Sequence, residues 1–146
     1  MKISFPSAIS VSLCCMLILL GGCEKKMYDS QLATRSYPLT LHSTDTIDVQ
    51  VFRDDQTIEL VNATARSYRD FDLWINQRYM RHVDELIAGQ TLIISLWDFY
   101  DERGDRFNAG GFWRTREPHR VRLVEIQPRA NLPLVGLVTI RAEDVN

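Results

Sequence analysis

The chain has 146 residues, 45% of them hydrophobic and 25% charged, which excludes a disordered tail, a collagen-like repeat and a multi-domain assembly and leaves room for one small domain. Its formal charge is −2, and from Glu24 onward 16 basic and 19 acidic residues leave −3. Nucleic acid wants a basic surface, so that class of partner is excluded.

The hydrophobic residues are unevenly spread. Lys2 gives a short positive start, an apolar stretch runs from Ala8 to Leu20, and Gly21 and Gly22 precede Cys23, with no charge between Ile3 and Cys23. That is the order of a secretory signal. Ser4, Pro6, Ser7, Ser10 and Ser12 dilute the first half of the run, so its apolar core is too short to span a bilayer. Leu20-Gly21-Gly22-Cys23 resembles the lipobox of bacterial lipoproteins, with leucine three residues before the cysteine and small residues between. The resemblance implies that residues 1–22 are a signal peptide, that Cys23 receives a diacylglyceryl group, and that it becomes the N-terminus of a mature chain held in the bacterial cell envelope. Two or three acyl chains anchor a protein stably where one does so only marginally. Glu24 follows the cysteine where proteobacterial sorting rules place Asp for inner-membrane retention, which favours the outer membrane and leaves the choice open. Cys14 and Cys15 would leave with the signal and Cys23 would be acylated, so no thiol remains for a disulfide, a cysteine metal site or thiol catalysis.

Residues 23–45 are polar and turn-rich, with Pro38 and no apolar period, and read as the lipidated cysteine and a flexible tether. A coil of that length would hold the domain on the order of 25 Å from its anchor. From Thr46 the period becomes two. Ile47, Val49 and Val51 alternate with polar or outward residues, Arg53-Asp54-Asp55-Gln56 forms a turn, and Ile58 and Leu60 continue the alternation, which predicts a hairpin. Phe71, Leu73 and Ile75 predict a third strand, Tyr79 to Val83 a short edge strand, and Thr91 to Trp97 a strand with Leu92, Ile94 and Leu96 on one face. Two more are expected at Val121–Ile126 and Leu134–Ile140, both rich in β-branched residues.

The expected fold is therefore all-β, an antiparallel sandwich of about 6–7 strands over residues 46–146. Trp74 resembles the core tryptophan of immunoglobulin-like modules, and Leu86-Ile87-Ala88-Gly89-Gln90-Thr91 resembles their turn into a central strand; their disulfide is absent. Residues 98–120 form either a functional loop or a hairpin around Gly104, with Gly110-Gly111 as backbone suited to positive φ or close approach.

No residue pattern signals catalysis or a cofactor. Asp98, Asp101, Glu102 and Asp105 lack the alternation of a calcium loop and read as a solvated turn. His42, His82 and His119 fall in no zinc motif and read as surface residues, and no serine stands in a nucleophile elbow. Asn62-Ala63-Thr64 fits a glycosylation sequon that a bacterial lipoprotein would not ordinarily use. The densest feature is aromatic: Trp97, Phe99, Tyr100, Phe107, Phe112 and Trp113. These residues read either as core or, for Phe112 and Trp113 flanked by Arg114 and Arg116, as an exposed contact platform. The expected function is a non-enzymatic, lipid-anchored adaptor or assembly subunit beside an envelope protein; the alternative is a glycan- or peptide-binding module using the loop 107–116.

Overall fold

The computed structural model describes residues 26–112 and 115–140; the expected signal peptide, Cys23, Trp113 and Arg114 lie outside them. Seven strands form: β1 Thr46–Asp54, β2 Thr57–Asn62, β3 Tyr68–Ile75, β4 Tyr79–Leu86, β5 Thr91–Ser95, β6 Val124–Gln127 and β7 Val135–Ile140. Each expected strand is present. The expected edge strand at Tyr79 extends to Leu86, the one expected from Val121 begins at Val124, and the one expected over Thr91 to Trp97 ends at Ser95, with Leu96 and Trp97 in a turn of 3-10 helix.

The strands make one sheet in the order β4-β3-β6-β7-β1-β2-β5. Every neighbouring pair is antiparallel except β1 and β7, which run parallel. The sheet curls into a nearly closed barrel, so the antiparallel immunoglobulin-like sandwich is corrected to a mixed barrel. Closure comes from the chain that follows β5. A turn of 3-10 helix at Leu96–Asp98 carries it to Tyr100, which exchanges backbone hydrogen bonds with Met80 of β4 at 2.8 and 3.2 Å. β5 is thereby an edge strand of the sheet rather than a central one.

Period-two alternation decides what lies inside. Val49, Val51, Ile58, Leu60, Phe71, Leu73, Ile75, Ile94 and Ile126 meet in a single buried cluster with Phe99 and Phe107. Trp74 breaks the expectation: it is fully buried, but on the other face of β3 from Phe71, Leu73 and Ile75. What buries it is the segment expected to be a tether. From Thr34 to Asp45 this segment runs over the outside of β3, β6 and β7 as a strap. Thr34 bonds through its backbone to Asp101 and through its hydroxyl to Tyr100, Leu41 accepts from Leu134, and Asp45 accepts from Gly136. The Arg35 guanidinium lies 5.2 Å from the Trp74 ring, and Tyr37 meets that ring edge-on at 5.3 Å.

The strap explains why all four residues of β6 are buried. Val124 and Ile126 face the core. Glu125 and Gln127, cross-strand partners of Trp74 and Asp72, face the strap. Arg35 donates to Asp72 and Gln127, while the Tyr37 hydroxyl and His42 Nδ1 lie 2.9 and 2.8 Å from the Glu125 carboxylate. Burial and that carboxylate hold the Tyr37 phenol far above its ordinary range, so it remains a donor. Asn62 closes the opposite end of the barrel. Its buried amide donates to the carbonyls of Arg66, Leu86 and Ile87 and accepts from Thr64, which gives the sequon-like triplet a structural role.

Candidate functional site

The β3–β4 turn, the β1–β2 turn and the segment from Leu96 to Leu123 all gather at one end of the barrel. Sequence dictates the first of these. Asn76 and Gln77 both have positive φ, 54° and 57°, within the three-residue connection between Ile75 and its strand partner Tyr79, a conformation that asparagine tolerates better than most residues. Asn76 then uses its side chain to hold the returning chain, donating to the Arg120 carbonyl at 2.6 Å and accepting from the backbone of Arg122 at 2.8 Å.

A small hairpin does turn at Gly104. Tyr100 bridges Arg106, and Phe107 donates to the Phe99 carbonyl at 2.9 Å. Asp101 organises the turn. Its carboxylate is buried and accepts from Arg78 Nε and Nη2 at 2.9 and 2.7 Å and from the backbone of Arg103 and Asp105 at 2.9 and 2.8 Å. Burial alone would raise its pKa, but Arg78 and the backbone N–H groups outweigh this and leave it below the ordinary carboxylate value. The acidic cluster is thus anchored to an arginine. Among the described residues no group of three or more His, Cys, Asp or Glu is placed to hold a metal ion.

Beyond Phe107 the chain makes a loop whose neck is a 2.9 Å backbone bond from His119 to the Asn108 carbonyl. Arg53 reaches across from β1 and donates to the carbonyls of Ala109 and His119. Gly110 and Gly111, with φ of 95° and 121°, take conformations a side chain would strain; a Cβ on Gly110 would sit 3.0 Å from Pro118.

Two adjoining grooves of about 430 and 230 Å³ open beneath this loop and share Arg78, Tyr79 and His119. Glu117, Arg120 and Arg122 line the first; Met27, Asp105, Arg106, Asn108 and Arg116 line the second. Five arginines and two carboxylates thus line the grooves, and one of the arginines, Arg78, is already paired with the buried Asp101. The His119 ring lies 3.2 Å from the Tyr79 hydroxyl and packs edge-on to Phe107. Partial burial, with Arg78 and Arg53 nearby, pushes its pKa below 6.5, so the ring is neutral at pH 7. The grooves offer guanidinium donors, of which Arg78 is held by Asp101 and Arg106 by the Tyr100 hydroxyl, an arrangement suited to holding an anion.

Of the expected contact residues, Arg116 lines this mouth and Phe112 stands on its loop, 89% exposed, while Trp113 and Arg114 lie outside the described residues. Phe99, Tyr100 and Phe107 are core, as the other reading of the aromatic group expects. The sequence reading missed Arg78, Tyr79, Arg106, His119, Arg120 and Arg122. Its available signal was the density of arginine between positions 103 and 122 in an otherwise acidic chain. Comparison with protein-family models, with curated proteins and with solved structures gives no match.

Proposed function

We propose that this chain is a non-enzymatic, lipid-anchored envelope module whose working surface is the arginine-lined mouth, and that it holds a ligand bearing carboxylate or phosphate groups. The observation that carries the reading is the convergence of Arg78, Arg106, Arg116, Arg120 and Arg122 on two adjoining grooves at one end of the barrel. The lipobox supplies the anchor: a tethered module meets its partner at raised local concentration, so contacts of modest strength suffice. This reading keeps the adaptor role and gives the adaptor a chemistry, while the loop 107–116 of the binding-module alternative becomes one wall of the mouth.

The test is titration of the full chain in detergent with polygalacturonate, using uncharged dextran as the control. Arg120→Glu with Arg122→Glu should weaken the polyanion roughly tenfold or more, since such charge contacts contribute about 1 kcal/mol each. Thermal unfolding should be unchanged because both side chains are exposed. Equal binding of dextran, or indifference to the double charge reversal, would remove the site from the reading. Fatty-acid labelling of the wild type but not of Cys23→Ala is the separate check on the anchor.

A further inference from the structure

We infer that the arginine-lined mouth is the membrane-facing surface of this protein, and that its anions are the phospholipid headgroups of the leaflet that carries the Cys23 anchor. The inference rests on the anchoring reading above and names the ligand of the same site.

The first argument is where the chain enters the fold. Met27 lines one of the two grooves. Its carbonyl accepts from the Arg106 backbone at 2.8 Å, Tyr28 bridges Asp105, and Asp29 donates to the Gly104 carbonyl at 2.9 Å. Four residue steps separate Cys23 from Met27, and fully extended chain covers at most about 14 Å in that distance. The eight residues of β3 run about 26 Å along the barrel. A lipid on Cys23 therefore holds the mouth close to the headgroup layer while the end bearing Ala63–Ser67 and Ile87–Gln90 stays distant. The span from Lys26 to Asp45 that would have made a long leash is instead fastened to the barrel.

The second argument is chemical complementarity at that same end. Anionic leaflets attract basic side chains within about a Debye length. The carboxylates among the five arginines are Asp101, which takes Arg78 at 2.7 Å, Asp105, 3.5 Å from the same guanidinium, and Glu117, so five positive charges stand against three negative ones. Exposed apolar side chains stand at the chain entry, Met27 at 37% and Tyr28 at 52%, and on the loop above the grooves, Phe112 at 89%. Aromatic rings beside arginines are the composition that settles at headgroup depth.

The experiment uses the full acylated chain reconstituted in vesicles of phosphatidylcholine with about one-third phosphatidylglycerol. With Cys23 acylated, a single introduced thiol takes a fluorophore, on Glu102→Cys in the Gly104 hairpin beside the mouth or Ala88→Cys at the opposite end. A nitroxide lipid labelled in its headgroup serves as quencher. The Glu102 label should be quenched several-fold more than the Ala88 label. The difference should shrink in pure phosphatidylcholine, and in Arg120→Glu/Arg122→Glu, whose fold is checked by thermal unfolding. Equal quenching at the two ends, or stronger quenching at Ala88, overturns the inference. Saturable binding of inorganic phosphate at sub-millimolar concentration, together with no end preference on vesicles, assigns the mouth to a soluble anion and also overturns it. Absence of fatty-acid labelling fails the anchoring reading itself, an outcome distinct from either.

Discussion

Two titratable residues, Asp101 in the hairpin and His119 in the grooves beside it, work in the same direction on stability. Asp101 has a folded pKa below 3.8, so its contribution is complete above that pH and is lost as acid drives it through the lower folded value. His119 has a folded pKa below 6.5, so the unfolded chain takes up the proton first and stability falls as pH drops below 6.5. We expect the wild-type unfolding midpoint to decline in both windows. His119→Gln should flatten the upper one, and Asp101→Asn the lower. At neutral pH Asp101→Asn should also cost about 2 kcal/mol, the worth of charge-assisted hydrogen bonds removed from a buried acceptor. Thermal unfolding followed from pH 3 to 8 by circular dichroism reads all three. Protonating His119 also adds a cation to the grooves, so polyanion binding should tighten between pH 7 and 5 in the wild type and not in His119→Gln, by titration at fixed ionic strength.

At the scale of elements, the chain entry ahead of the strap packs against the hairpin at one glycine. Gly104 has φ of 88°, and a Cβ there would meet the Asp29 carbonyl oxygen at 2.2 Å. Gly104→Ala should therefore push the segment around Asp29 off the hairpin and expose Met27 and Tyr28 to protease. Limited proteolysis should give early cleavage near Lys26, and urea titration a loss of about 2 kcal/mol or more, the cost of strain at a left-handed position plus lost contacts. The strap was illegible in the sequence for a physical reason. Its anchoring side chains are Arg35, Tyr37 and His42, polar types that bury against polar partners on the outside of the sheet, so no hydrophobic period betrays them. The same applies to Glu125 and Gln127, which in a strand of alternating type read as solvent-facing. The strands themselves were legible because Val49, Val51, Leu73 and Ile94 obey a period of two that no helix shares. The mouth was half legible. Gly110-Gly111 and Arg116 announced an unusual loop, but Tyr79 and His119 are 40 residues apart and only the barrel brings them together.

Across the whole molecule, local hairpins account for β1–β2 and β3–β4, while β2–β5, β3–β6 and above all β1–β7 join segments distant in sequence. The antiparallel expectation followed from the hairpins that short turns announce; nothing local records that β7 will insert between β6 and β1. A chain stopped after Pro133 should lose cooperative unfolding in urea, since β1 and β6 would each lose a neighbour and β4-β3-β6 and β1-β2-β5 would be hydrogen-bonded to each other only through the Tyr100–Met80 seam. A retained sigmoidal transition of native slope would contradict this.

The parallel pairing of β1 with β7 also carries a kinetic consequence. The first strand of the barrel must wait, as the chain emerges, for the last, and loop-closure entropy has to be met before that contact returns any stability. A precursor crossing a membrane N-terminus first would pass as an open chain, unable to lock shut until the final strand had followed it through.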